Sequence, residues 1–167
     1  KTGEVYVSTR LKDYGTPKVF FSSNTGNAGS WVDITPPNSS TSQMIELATT
    51  ADDVLHVYAA FKQVGNSADQ TYILKTNDGG QNWTTVSTSS PESSFGSWRL
   101  EFEISDGDAA VMYAGGNEMW KSTNSGSTWA KVSDYYPSSA STALGSTHAD
   151  IRSIFKIGYQ NGEDKLF

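Results

Sequence analysis

The chain has no cysteine. Disulfides, thiolate nucleophiles and Cys-based zinc sites are therefore excluded. Export is not excluded, because many secreted bacterial proteins manage without cysteine. Charge is also scarce: charged residues are 18% of the 167, and the formal net charge is -6. Lys and Arg gather nowhere, so the chain offers no electrostatic grip on nucleic acid. No apolar run approaches the ~18 residues of a membrane-spanning helix, and no such span is expected. The Gly-x-Ser-x-Gly elbow, the phosphate-binding glycine loop and the His-Glu-x-x-His zinc motif are all missing. What the chain has instead is aromatic residues, at 12%, set among Ser, Thr, Gly and Asn. That balance suits a β-rich extracellular domain, secreted or at a cell surface, better than a helical cytosolic one. The length is that of one ordinary domain.

The chain repeats itself. "SSNTGNAGSWVDI" begins at Ser22, "KTNDGGQNWTTV" at Lys75 and "KSTNSGSTWAKV" at Lys121. Aligned on their tryptophans, they share Ser22, Asn24, Gly26 and Trp31; Thr76, Asp78, Gly80 and Trp83; Ser122, Asn124, Gly126 and Trp129. The first copy carries two extra residues before Ser30, and the tryptophans lie 52 and 46 residues apart. A short alternating run precedes each copy ("KVFFSS", "TYILKT", "EMWKST") and another follows it ("WVDIT", "WTTVS", "WAKVS"). Such alternation means half-buried strands, so each copy is the turn of a β-hairpin. Two more strand-like runs stand upstream in the second repeat ("MIELATT", "VLHVYAAF") and in the third ("WRLEFEI", "VMYAGG"). In the first only "EVYVST" remains.

Four antiparallel strands in about 50 residues is the unit of a β-propeller blade. The expected fold class is all-β: propeller blades of four antiparallel strands, about three and a half of them. Their approximate bounds are 1–36, 43–88 and 97–133, with a fourth starting at 148–167. A β-sandwich is the alternative, although it would not need one turn written three times. Because the pattern is cut at both ends, further blades are expected from the same full-length chain or from another copy.

The pattern Ser/Thr-x-Asp-x-Gly-x-Thr-Trp resembles the Asp-box, or BNR repeat. That repeat occurs in sialidases, xyloglucanase-like glycoside hydrolases, the sortilin luminal domain and photosystem assembly propellers. The resemblance runs from about Glu4 to Phe167, with Asn82 at the Thr position and Asn124 in place of Asp. It implies a propeller but no single activity, because the motif serves folding across unrelated functions. Physical chemistry gives the motif the same structural role. The Asp or Asn is expected to accept backbone N–H groups a residue or two ahead, Gly80 and Gly126 to supply positive φ, and the tryptophan to fold back between sheets. Since Asn24 and Asn124 replace Asp, the turn needs an acceptor oxygen rather than a charge. A calcium loop would need several oxygen side chains, and Asp78 stands nearly alone. No metal or cofactor is implied.

Candidates for chemistry are few. Arg10, Arg99 and Arg152 fall in three different repeats. Propeller sialidases clamp a carboxylate with three arginines, but their Arg-Ile-Pro signature is missing. In "STHADIRSI", His148, Asp150 and Arg152 would share one face of a strand. It is similar to the His-x-Asp-x-His segment of many Asp-box propellers, with Arg152 at the second His. Either the three meet a ligand at the central pore or, as preferred, they form a buried polar network joining the innermost strand to its neighbour. Acids that could serve glycoside hydrolysis are Asp13, Asp33, Asp52, Asp53, Asp106, Asp108 and Asp134. Several of these sit where turns want them. Tyr14, Phe95, Tyr135 and Tyr136 lie in Ser-rich, loop-like surroundings and could stack on a sugar or anchor a protein.

The expected function is a segment of a propeller that recognises a glycan or protein ligand. The first alternative is a sialidase- or xyloglucanase-like glycoside hydrolase whose active site is only partly in this chain. The second is a sortilin-like or assembly-factor propeller.

Overall fold

The structure is a computed structural model that describes residues 3–10, 15–50, 55–65, 70–91, 95, 100–134, 145–146, 151–161 and 163–166. Among these residues the secondary structure is all strand and turn, and no helix is long and apolar enough to cross a membrane. Three antiparallel sheets follow one another along the chain. Sheet 1 is β1 (Val5–Ser8), β2 (Val19–Ser22) and β3 (Trp31–Asp33). Sheet 2 is β4 (Ile45–Thr49), β5 (Val57–Gln63), β6 (Gln70–Thr76) and β7 (Thr84–Ser87). Sheet 3 is β8 (Glu101–Ile104), β9 (Met112–Gly115), β10 (Met119–Ser122) and β11 (Ala130–Lys131). A short parallel pair, β12 (Ser133–Asp134) with β13 (Gly145–Ser146), comes next. The last element is a hairpin, β14 (Lys156–Gln160) and β15 (Glu163–Leu166).

Within each sheet the strands pair in chain order, as an up-and-down meander. Neighbouring sheets meet along their first strands: β1 lies beside β4, and β4 beside β8. Three sheets in succession, not two facing layers, rule out the sandwich alternative.

The alternation read from the sequence becomes two cores. Sheet 2 is buried on both faces. On β5, Tyr58 and Ala60 enter the core shared with sheet 3, whereas Ala59 and Phe61 enter the core shared with sheet 1. On β6, Ile73 and Leu74 divide the same way. Successive side chains of a strand point to opposite faces, so one strand can serve both cores only if both parities are apolar. "VYAAF" meets that need. Full burial of a side chain such as Phe61 contributes roughly 1.5–3 kcal/mol. Phe95, expected to be an exposed aromatic, is instead completely buried in the core between sheets 2 and 3. Its Ser-rich flanks hid a core residue.

The repeated turns join the last two strands of each sheet, and the hydroxyl at the first motif position closes them. Thr76 Oγ1 accepts the Gly80 amide at 2.9 Å, and Ser122 Oγ accepts the Gly126 amide at 2.9 Å. Ser22 Oγ does the same for Gly26 at 3.1 Å. The acid reaches further than the expected one or two residues. Asp78 Oδ1 accepts the Asn82 amide at 2.9 Å, four residues on, while Oδ2 accepts Asn82 Nδ2 at 2.7 Å. Asn124 Oδ1 accepts the Thr128 amide at 2.9 Å in the same way, so an amide oxygen fills the role. In the first copy the two-residue insertion changes the partner, and Ser22 Oγ meets Ser30 Oγ at 2.6 Å. Each turn has two consecutive residues at positive φ: Thr25–Gly26, Gly79–Gly80 and Ser125–Gly126.

The second and third turns also seat on the sheet before them. A Cβ on Gly80 would lie 2.6 Å from Ile34, and one on Gly126 would lie 3.0 Å from Ile73. Trp83 Nε1 donates to the Ile34 carbonyl at 3.0 Å. Trp129 enters the core between sheets 2 and 3, with Ser87 Oγ donating to the Gly126 carbonyl at 2.7 Å. Trp31 departs from the expectation of burial. It is 37% exposed, because no sheet among the described residues stands on that side.

Trp83→Ala is expected to cost about 3 kcal/mol, the cavity and transfer loss of a half-buried indole. Gly80→Ala should cost about 2 kcal/mol, from strain at positive φ and the clash with Ile34. Chemical denaturation of both variants checks these values. Thermal melts should show Asp78→Asn close to wild type, after Asn82 turns its amide over, and Asp78→Ala clearly lower. The Asp78 carboxyl sits at about 2, below its ordinary 3.8, because Asn82 and Thr76 hydrogen-bond its charged form. A depressed carboxyl stabilises above its ordinary value and loses that contribution as pH falls through the folded one. The difference between wild type and Asp78→Asn should therefore be constant above about pH 4 and change between about pH 4 and 2. Equal losses in the Asn and Ala variants would refute the acceptor role.

Candidate functional site

The inner edge of the stacked sheets gathers charge that the sequence pattern did not single out. Glu46 lies on β4 and Glu101 on β8, strands that stand side by side. Arg10, just beyond β1, reaches Glu46 Oε1 with Nη2 at 3.5 Å. Burial pushes Glu46 above its ordinary value, with Arg10 opposing. Burial also pushes Glu101 up, to about 7 from 4.5, and the charge of Glu46 adds to the rise. No hydrogen bond engages the Glu101 carboxyl among the described residues.

A second charged cluster follows along the same strands. Lys156 Nζ, on β14, donates to the Thr49 carbonyl at 2.9 Å and to Asp106 Oδ1 at 2.7 Å. It also lies 3.4 Å from Glu103 Oε2. Burial raises Glu103, and Lys156 offsets part of that rise. This lysine ties the last hairpin to the first strands of sheets 2 and 3, and its partners account for its charge. The Arg10, Glu46 and Glu101 cluster is different, since burial and the neighbouring Glu46 raise the Glu101 carboxyl to about 7, opposed only by the charge of Arg10. A neutral carboxyl beside an ionised one can donate a proton or a hydrogen bond, while its neighbour accepts one.

The sequence candidates fare unevenly. Arg10 is engaged by Glu46, which weakens a three-arginine clamp, and Arg99 lies outside the described residues. Arg152 is exposed. His148, Asp150, Tyr14, Tyr135 and Tyr136 lie outside the described residues, as do Asp13, Asp52 and Asp53. Asp33 bonds Thr35 and Lys18, which hold its carboxyl at about 2. Asp108 caps a turn through the Ala110 amide at 2.8 Å. Asp106 belongs to Lys156. Asp134 is described only through its backbone pairing with Ser146. Asp106 raises Glu103 much as Glu46 raises Glu101, but Lys156 bridges that pair. The available signal for Glu46 and Glu101 was an acid inside an apolar strand, "MIELA" and "RLEFEI", where β-propensity and burial disfavour one.

A cleft of about 610 Å³ opens between sheet 3 and the last hairpin, lined by Tyr113, Lys121, Tyr159 and Asp164 among others. Tyr113 donates its hydroxyl to Asp164 Oδ2 at 3.0 Å. Burial and that carboxylate push the phenol to about 12.

The class this architecture defines is a β-propeller-type fold that does not close on itself among the described residues. No protein-family model matches the chain, and no curated protein matches it. Among solved structures it is similar to the GH74 enzyme of Niastella koreensis, with a TM-score of 0.61 and 22% identity. That match covers 98% of this chain and 24% of the enzyme, so the chain spans about a quarter of its length. It is also similar to YCF48 bound to D1 peptide, with a TM-score of 0.47, 13% identity, and 77% and 44% of the two chains covered. A glycosyl hydrolase from Bacteroides ovatus matches at a TM-score of 0.42 and 13% identity, over 80% and 46%. The likeness to the GH74 enzyme, a β-propeller, establishes the fold.

The raised Glu101 carboxyl makes a signed prediction. Its contribution to stability is complete below about 4.5 and is lost as pH rises through about 7. Glu101→Gln should therefore melt near wild type at about pH 4.5 and above it at about pH 8. Melting curves across that range check the sign, and a variant less stable than wild type at about pH 8 would refute it.

Proposed function

We propose that the chain is a segment of a secreted or cell-surface Asp-box β-propeller that recognises a glycan at the inner edge of its blades. The blades run at about 1–36, 43–88 and 97–133, with a further unit from about 148. Ser22, Thr76, Ser122 and the rest of the repeated motif serve the fold. Arg10, Glu46 and Glu101 meet the ligand. The observation that carries the reading is the half-buried, raised Glu101 carboxyl beside the Arg10-held Glu46. Sugar hydroxyls are both donors and acceptors, and a neutral acid next to a carboxylate offers both.

A second reading rests on the same pair. Two neighbouring carboxyls can also serve glycoside hydrolysis, one as acid and the other as base or nucleophile. Glycan-array binding and turnover of chromogenic glycosides, run together on wild type, Glu46→Gln and Glu101→Gln, separate the readings. Binding without turnover, weakened at least tenfold by Glu46→Gln, is expected. Turnover that Glu101→Gln abolishes while binding persists would favour hydrolysis. A wild type that binds peptides but no glycan would overturn both and favour a sortilin-like or assembly role.

A further inference from the structure

Glu46 and Glu101 occupy one register position on the first strands of successive sheets. Glu46 pairs with Ala60 of β5, and Glu101 pairs with Gly115 of β9. Two residues on, Ala48 pairs with Tyr58 and Glu103 with Tyr113. The sheets differ in the residue opposite the acid. Sheet 2 keeps a methyl group there, and sheet 3 has none.

Backbone freedom does not explain this glycine. Gly115 is buried at the end of β9, and its φ lies outside the left-handed region that favours glycine. Glycine weakens a strand, and where φ is ordinary it marks a close approach by another segment. That approach is visible. A Cβ on Gly115 would lie 2.7 Å from Ile151 Cγ2, 3.1 Å from Ile151 Cβ and 3.1 Å from Glu101 Cβ. Ile151 and the stem of Glu101 therefore press on one point, the point a side chain would fill. The Ile151 amide donates to the Gly116 carbonyl at 3.0 Å, which anchors the segment there. Cγ2 is carried on the branched carbon of isoleucine, whose χ1 is stiff, so it has little room to swing aside.

The charges acting on Glu101 are Glu46 on β4 and Arg10 beyond β1. Glu103, two residues along β8, is taken up by Lys156 of β14. From β9 and the incoming segment come Gly115 and Ile151, with Arg152 exposed. We propose that Gly115 is a positioning residue for Glu101: lacking a side chain, it admits Ile151 against the stem of the glutamate, and that cover keeps the carboxyl partly out of water. Burial is the first cause of the carboxyl's rise to about 7, ahead of the charge of Glu46. The acid of the inner edge is thereby tuned by the segment that follows sheet 3. What the carboxyl does for a ligand rests on the glycan recognition proposed above; where it sits does not.

NMR titration of the glutamate carboxyl carbons in the 167-residue chain tests the assignment, with Glu101→Gln identifying the resonance. Wild type should titrate at about 7. Gly115→Ala displaces Ile151, whereas Ile151→Ala strips the cover and leaves Gly115 intact. Each should lower the Glu101 midpoint by about one pH unit toward the ordinary 4.5. Circular dichroism checks folding, and if Gly115→Ala does not fold, Ile151→Ala decides. Variants that melt lower while the Glu101 midpoint stays put would leave Gly115 a packing residue and overturn the proposal. So would a wild-type midpoint at the ordinary value, or a Glu46→Gln midpoint already there, since the neighbouring charge would then be the whole cause. The titration contains no ligand. A chain that binds no glycan yet shows these shifts would refute the recognition and uphold the positioning.

Discussion

The stack depends on one arrangement, a tight turn that fastens two things at once. The Ser or Thr hydroxyl at the head of the motif closes the hairpin onto the glycine amide four residues on. In the second and third copies the same glycine, having no side chain, lets the turn rest directly on the sheet before it, and the tryptophan follows it down. Hairpin closure and sheet stacking are therefore a single event. Neither core would form as it does if the turn stood a methyl group further away, because Ile34 and Ile73 occupy that space. The acid of the motif comes second. It ties the turn's far side, and asparagine does this as well as aspartate.

From that arrangement the charged inner edge follows. Stacking through the turns brings the first strands of successive sheets together, β1 to β4 and β4 to β8. Residues separated by more than fifty positions in sequence, such as Glu46 and Glu101, then share one electrostatic environment. Both acids are raised chiefly by burial, Glu46 raises Glu101 further, and Arg10 opposes both rises. Such perturbation marks functional sites and structural ion-pair networks alike. What separates this cluster from the Lys156 cluster is satisfaction: Lys156 contacts a carbonyl and two carboxylates, whereas no hydrogen bond reaches the Glu101 carboxyl among the described residues.

The fold was legible because it is written several times. Period-two alternation and a repeated turn identify hairpins without any knowledge of what packs on them, and β2, β6 and β10 lie where those runs stood. The site was less legible, for a physical reason. Turn acids such as Asp108 are conspicuous in sequence but are consumed by local hydrogen bonds. The acids that matter electrostatically sit inside strands, and only sheet order decides which of them meet. Phe95 shows the same limit from the apolar side, since Ser-rich flanks say nothing about which core a ring will enter.

Sheet 2 has a consequence for how this lineage can change length. Because β5 feeds adjacent residues to different cores, inserting or deleting one residue within it would exchange the contents of both. The same change between strands disturbs neither. The repeats differ in length, with tryptophans 52 and 46 residues apart, and the two extra residues of the first motif lie in its turn. Length drift in such an array is thus channelled to the connections at its rims, so the surfaces that a ligand or a partner would meet are those free to diverge, while a doubly buried strand keeps count.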